Sequence, residues 1–258
     1  MVTRKRQRSR MIANYHTHTR WCGHGAGEIE DYVAYAARIG LEELAITEHV
    51  PLPGDPYPGD RMKVSEFPVF DAELNRVIDK YRGKIRVRKG LECEYYPYML
   101  ETYKEYKKQY GYEILILGQH LNIAQTLDNF YLREPWQLSV YAEEVCEGLE
   151  SGLFDFLAHP DLVIYGYKKV DAPMLETMER IFATCKKLNI PAEVNAGGIR
   201  YSRGYPDREI WRLAHDCDIP CIVGVDAHNV QDLDGWCIAR CKDFVAELGL
   251  RPIERLPG

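Results

Sequence analysis

The residues of this chain that could do chemistry begin with the stretch Asn14-Tyr15-His16-Thr17-His18-Thr19-Arg20-Trp21-Cys22-Gly23-His24. The apolar run from Met11 to Tyr15 reads as a short buried strand, and His16 falls where that strand should end. Alternate residues of a strand share a face, so His16 and His18 can offer two imidazoles to one point from a nearly rigid backbone. That is an arrangement of metal ligands. Thr17 must point the other way, and the Cys-Gly-His that follows lets the chain curl so that His24 returns to the same region. Taken alone, His-x-His is more often two ordinary histidines at a strand end than a pair of ligands.

It is not alone. Further ligand types stand at the ends of later apolar runs: His49 after Leu44 to Thr47, Glu92 after Ile85 to Leu91, and His120 past Glu113 to Gly118. His159 follows Phe154 to Ala158, and Asp226 and His228 follow Pro220 to Val225. Seven of the eight histidines belong to this set, and only His215, on a helical segment, lies outside it. Nine nitrogen and oxygen ligands exceed what one or two tetrahedral sites need, so the count points to two or three metals with Glu92 or Asp226 suited to bridge. With no thiolate in the set it suits Zn, Mn or Fe without choosing among them. Cys22 lies close by in sequence and reads as packing.

The elements that must position these groups alternate apolar β-like runs with amphipathic segments. Helices are expected over Glu28 to Ile39, capped by Gly40, then Phe70 to Tyr81, and an exposed polar one over Tyr98 to Tyr110. Others follow over Leu138 to Leu149, Pro173 to Leu188, Asp207 to His215 and Val230 to Leu248. The proline-rich segment Val50 to Pro68 should be an irregular loop over one face. About seven β-runs separated by helices fit a parallel barrel or a doubly wound sheet. In a barrel the strand ends converge on one rim, whereas an open sheet scatters its outer ends too far apart to share a metal cluster. Convergence favours the barrel.

At 258 residues, 46% hydrophobic and 28% charged, the composition is that of a soluble globular protein. No apolar stretch reaches bilayer-spanning length and no signal peptide is evident, so a cytoplasmic location and no membrane partner are expected. The net charge of −6 gives no global attraction to nucleic acid. The basic tail within residues 1–11 reads as a disordered, solvated extension, leaving one domain over 12–258. The eight cysteines, including the Cys217/Cys221 and Cys237/Cys241 pairs, read as reduced, buried thiols.

Seven motifs in order then carry a resemblance: HTHTRWCGHG from His16, ITEHVPLP from Ile46, GLECEYY from Gly90, LGQH up to His120, FLAHPDL from Phe156, EVNAGGIR from Glu193 and VGVDAH from Val223. The chain resembles the polymerase and histidinol phosphatase (PHP) superfamily of metal-dependent phosphoesterases and, within it, the histidinol-phosphate phosphatases. The resemblance implies an α/β fold, a distorted (β/α)7 barrel of the PHP type, holding three divalent metal ions. Carried over by position, His16, His18, Glu92 and Asp226 would bind the first metal. Glu92 would bridge to a second held by His120 and His159, and His24, His49 and His228 would complete the third.

The implied activity is hydrolysis of a small phosphate monoester, L-histidinol phosphate first, by a hydroxide bridging two metals. Asp226, His228 or a metal-bound water would protonate the departing alkoxide. Arg200, Arg20 and Arg133 are candidate phosphate contacts, each otherwise a surface residue. Glu94 could meet the amino end of a substrate. The alternatives are a phosphatase, phosphodiesterase or exonuclease acting on another metabolite or nucleotide, which predicts a basic groove, and a non-catalytic metal scaffold, which predicts missing ligands.

Overall fold

Each apolar run that ends in a ligand-type residue becomes a strand of one parallel sheet. In the computed structural model, which describes residues 11–257, the strands are β1 (Ala13–Asn14), β2 (Glu43–His49), β3 (Arg86–Cys93), β4 (Ile114–Leu117), β5 (Phe156–Leu157), β6 (Ala192–Asn195), β7 (Pro220–Gly224) and β8 (Arg251–Pro252). They lie side by side in chain order. The crossovers run through helices α1 (Ile29–Ile39), α2 (Phe67–Tyr81), α3 (Leu100–Tyr110), α4 (Pro135–Glu150), α5 (Ala172–Leu188), α6 (Arg208–Asp216) and α7 (Trp236–Leu248).

The sheet curls until its first and seventh strands meet. Beyond β1, Thr17 bridges Ala227 beyond β7, and the His18 N–H donates to the Ala227 carbonyl at 2.8 Å. The opposite end of that seam is filled by β8, which pairs with the start of β7, while the Leu256 N–H reaches the Tyr15 hydroxyl at 3.1 Å. The distortion of the barrel has a simple origin: direct contact at the upper rim, a two-residue wedge below.

Alternation then sorts the side chains. Ala13, Tyr15, Ala45, Ile114, Ile116, Phe156, Ala158 and Ile222 fill the concave interior. Intervening residues such as Leu115, Leu117 and Leu157 join the larger apolar layer beneath the helices. Ile114 and Ile116 sit in register with Gly90 and Glu92, so Glu92 lies on the interior face, one step above the apolar plug. His49 is in register with Glu92 on the neighbouring strand.

The structure departs from sequence expectation in a few places. Helix α2 starts at Phe67 rather than Phe70 because Pro68 sits in its first turn, where the missing N–H removes no helical bond. Helix α3 is not simply exposed: Tyr103 and Tyr106 are buried on its inner side. The last helix is broken, a short turn Val230–Leu233 being separated from α7 by Gly235 at φ +133°. Met11 is buried, so packing begins inside the segment expected as tail, the rest of which lies outside the described residues. Among the described residues no helix is long and apolar enough to cross a membrane.

Candidate metal centre

Glu92 is the hub at the upper rim. Its Oε2 lies 3.2 Å from His16 Nε2, 3.1 Å from His18 Nε2 and 3.2 Å from His49 Nδ1. Its Oε1 lies 3.1 Å from His159 Nε2 and 3.4 Å from His120 Nε2. One carboxylate therefore faces imidazoles from β2 and from the ends of three other strands, β1, β4 and β5, with each oxygen serving a different group. Gly118 makes this possible, since a Cβ there would stand 2.1 Å from Glu92 Oε1.

Asp226 faces the same space from beyond β7. Its Oδ1 is 3.7 Å from His16 Nε2, 3.6 Å from His18 Nε2 and 3.5 Å from His228 Nδ1. The His228 ring stacks between His18 at 4.5 Å and His24 at 4.6 Å, and His49 stacks on His18 at 4.4 Å. All nine sequence candidates are thus brought into one contiguous cluster. His159 and Asp226 hold positive φ, +24° and +50°, a strained backbone that turns their side chains inward just past the strand ends.

A second layer of carboxylates orients the first. Glu193 on β6 puts Oε1 2.8 Å from His16 Nδ1, while its Oε2 accepts from the His159 N–H at 3.1 Å and from Asn195 Nδ2 at 2.8 Å. Glu94 lies 3.3 Å from His120 Nδ1, and Glu48 accepts from the Thr19 N–H and hydroxyl, both at 2.6 Å. With Nδ1 engaged outward, His16 and His120 turn Nε2 toward Glu92.

Burial opposes charge on His16, His18, His49 and His228, and the neighbouring carboxylates decide which of them resist it. His16 is held well above its usual value by Glu193, Glu92 and Asp226, and His18 is raised to about 9 through Glu48 and Glu92. His49 is pushed well down and His228 to about 3, by burial and then by the His18 charge. Glu92 and Asp226 stay ionised against burial because imidazoles surround them.

These residues fit divalent cations. Among the described residues, His16 Nε2, both ring nitrogens of His18, His159 Nδ1 and His228 Nε2 are buried without a hydrogen-bond partner, a cost of about 1–3 kcal/mol each unless something accepts their lone pairs. Donor atoms of His16, Glu92 and His159, of His16, His18 and Asp226, and of His18, His49 and His228 each lie within 4.8 Å of one another. The Cys22 sulfur also falls within that span of His24 and His228. It is engaged by backbone, donating to the Thr19 carbonyl at 3.1 Å and accepting the Gly25 N–H at 3.0 Å, and burial raises its pKa to about 12.

The cluster floors a cavity of about 610 Å³ walled by Tyr57, Asp60, Arg61, Asp128, Phe130, Tyr131, Tyr165, Tyr201 and Arg203. The sequence-expected substrate contacts sit elsewhere. Arg200 donates to the carbonyls of Val225, Asp226 and Asp232 and pairs with the Asp232 carboxylate at 3.1 Å, which tethers the segment carrying Asp226. Arg20 pairs with Glu28 and Glu73 outside the cavity, and Arg133 is exposed at the start of α4. Glu94 is buried behind the wall, clamped through both oxygens by Arg61 at 2.9 and 3.1 Å. Sequence reasoning passed over Glu48, Glu193, Arg61 and Arg203. The signal for the two acids was a carboxylate inside an apolar strand, which must find a partner.

A parallel barrel with histidines and carboxylates clustered at the carboxyl rim of its strands defines a metal-centred α/β-barrel protein. The chain belongs to the PHP domain family, whose model matches residues 14–197, more than half of its length. It is 26% identical to the "Probable histidinol-phosphatase" of Deinococcus radiodurans, over 94% of this chain and 95% of that one. It is 25% identical to the "Histidinol-phosphatase" of Bacillus subtilis, over 84% and 94% respectively. The fold superposes on histidinol phosphate phosphatase from Lactococcus lactis, solved with Zn, L-histidinol and phosphate, with a TM-score of 0.75 at 16% identity, covering 96% of this chain and 99% of the other.

Proposed function

We propose that the protein is a metal-dependent phosphomonoesterase that hydrolyses L-histidinol phosphate to L-histidinol and phosphate. The observation that carries this reading is Glu92, one buried carboxylate faced by five imidazoles at the floor of a metabolite-sized cavity. The names of two nearly full-length relatives support the substrate.

His16, His18, His24, His49, Glu92, His120, His159, Asp226 and His228 would hold three divalent ions, Zn, Mn or Fe. Bound there, the ions supply Lewis-acid stabilisation of phosphoryl oxygens and an activated water nucleophile. The chain's own part is to orient the substrate and move a proton. Asp226 and His228 line the cavity; with Asp226 held ionised and His228 held neutral, either would pass to the departing alkoxide oxygen a proton taken up from water during turnover. Asp60 and Asp128 on the wall favour a leaving group that carries positive charge, and Phe130, Tyr131, Tyr165 and Tyr201 offer rings to a planar one. Two wall acids also disfavour a polyanionic nucleic acid, so no nucleic-acid partner is expected.

The test is phosphate release from L-histidinol phosphate and from a generic aryl phosphate by metal-reconstituted protein, with and without chelator. Preference for L-histidinol phosphate by about a hundredfold or more in kcat/KM, abolished by chelator and by Asp226→Asn, is expected. Turnover no better than on the aryl phosphate defeats the substrate assignment. Undiminished turnover in chelator defeats the metal-dependent one.

A further inference from the structure

Three arginines lie near the cluster, and two are already committed. Arg200 is spent on backbone carbonyls and Asp232. Arg61 is spent on Glu94 and the Val50 carbonyl. Arg203 differs. It lines the cavity, and among the described residues its side chain has a single long hydrogen bond, from Nη1 to the Tyr205 hydroxyl at 3.5 Å. A half-buried guanidinium with donors to spare, facing a cavity, lacks the acceptor its geometry is made for.

Its position is nevertheless fixed. The guanidinium carbon sits over the Phe130 ring at 5.1 Å and over the Tyr201 ring at 5.0 Å. Aromatic faces on two sides hold the cation and leave its N–H edge for another partner. The backbone is equally constrained: the Arg203 N–H donates to the Gly198 carbonyl at 2.9 Å, between positive φ at Ser202 and at Gly204. Phe130 links this arginine to the metal centre, because the ring beneath Arg203 is also stacked 5.8 Å from His120. From the other side Tyr205, the hydrogen-bond partner of Arg203, lies 6.4 Å from the His159 ring. Burial works against the Arg203 charge, while Tyr205 and then Asp226 hold it above the ordinary arginine range.

We infer that Arg203, set between Phe130 and Tyr201, is the residue of this chain that binds the phosphoryl oxygens of the substrate across the cavity from the histidine cluster. The inference rests on the phosphomonoesterase reading and adds to it the anion contact that Arg200, Arg20 and Arg133 do not supply from where they stand. A forked guanidinium can hold two oxygens of a phosphate and keep the third directed at the cluster. The cavity is then bipolar, with Arg203 for the phosphate end and Asp60 and Asp128 for a cationic end.

The probe is inorganic phosphate, titrated by calorimetry into metal-reconstituted wild type, Arg203→Ala, Arg203→Gln and Arg203→Lys, with metal content and Tm recorded for each. Expected is a rise in phosphate Kd of about tenfold or more in the Ala and Gln variants, partial recovery in the Lys variant, and unchanged metal content. Gln keeps an aliphatic stem between the rings, so it reads the charge should the Ala variant fold poorly. A phosphate Kd within about twofold of wild type in a folded, metal-replete Gln variant overturns the inference. Because binding is measured without turnover, a protein that binds phosphate through Arg203 but ignores L-histidinol phosphate sinks only the substrate assignment. Wild type that turns over phosphomonoesters while its Arg203 variants bind phosphate normally sinks only the role of Arg203.

Discussion

His16 Nδ1 lies 2.8 Å from Glu193 Oε1, and that contact aims the other ring nitrogen at Glu92 and Asp226. Glu193 fits only because residue 224 is glycine, as a Cβ there would stand 1.6 Å from Glu193 Oε1. A buried carboxylate behind a ligand histidine fixes the ring's orientation and strengthens it as a donor. Glu193→Gln keeps a carbonyl oxygen for the His159 N–H but loses the charge. Metal affinity is expected to fall about 10–100-fold, measured by competition with a chromophoric chelator, with activity restored at saturating metal. Unchanged affinity would mean that Glu193 is only a structural acid.

Gly118→Ala places a methyl group where Glu92 Oε1 now lies, 2.1 Å away. Glu92 must move, and every imidazole it faces loses its counter-charge. Elemental analysis should find the variant depleted of metal and its activity down at least about a hundredfold, while far-UV circular dichroism stays that of the wild type. Full metal content in the variant would remove Glu92 as the hub.

The Arg61–Glu94 pair is 4% and 1% exposed at its side chains. Removing one partner strands the other charge, so Arg61→Met is expected to cost about 3–5 kcal/mol in urea unfolding. Arg61→Met combined with Glu94→Gln should cost clearly less than the sum of the single changes. Strict additivity would show that the pair is not coupled.

Much of this site was legible because a parallel strand delivers its last residue to a common rim. The ligand types following Ile46-Thr47, Leu91, Leu117-Gly118, Ala158 and Val225 could be found one strand at a time. What joins them is tertiary and has no local signature. Arg200 sits in a recognisable motif, yet folding turns it onto the Val225 and Asp226 carbonyls, whereas Arg203, three residues on, reaches the cavity. The choice depends on a tight turn through Ser202 and Gly204 and on Phe130 from a distant loop. Strand β8 was equally hidden, since two residues carry no period and Arg251–Pro252 is a strand only because the seam beside β7 is open. The buried faces of Tyr103 and Tyr106 were masked by the lysines around them.

Of the eight free cysteines, Cys217 alone is partly exposed, and burial raises the thiol pKa of Cys221 to about 12. Iodoacetamide should label Cys217 first, faster as pH rises because burial raises its thiol pKa too, and the others only after denaturant is added. The sign of the pH dependence follows. A thiol that keeps its proton in the fold and loses it when unfolded favours unfolding as pH rises past its ordinary value, so Tm should fall above pH ~9. Replacing Cys221 with Ala should make that alkaline decline shallower. Rapid native labelling of Cys221 would contradict its packing in β7.

The most direct test of the central claim, that residues from separate strands gather around Glu92 to hold several ions, is metal stoichiometry in wild type and Glu92→Gln. Both proteins are reconstituted with Zn, Mn or Fe, desalted, and measured by elemental mass spectrometry against protein concentration. The expected result is about three ions per wild-type chain and a loss of at least about two in Glu92→Gln, because one carboxylate serves both sides of the cluster. A wild type that retains one ion or none, or a Glu92→Gln variant that retains the full complement, contradicts it.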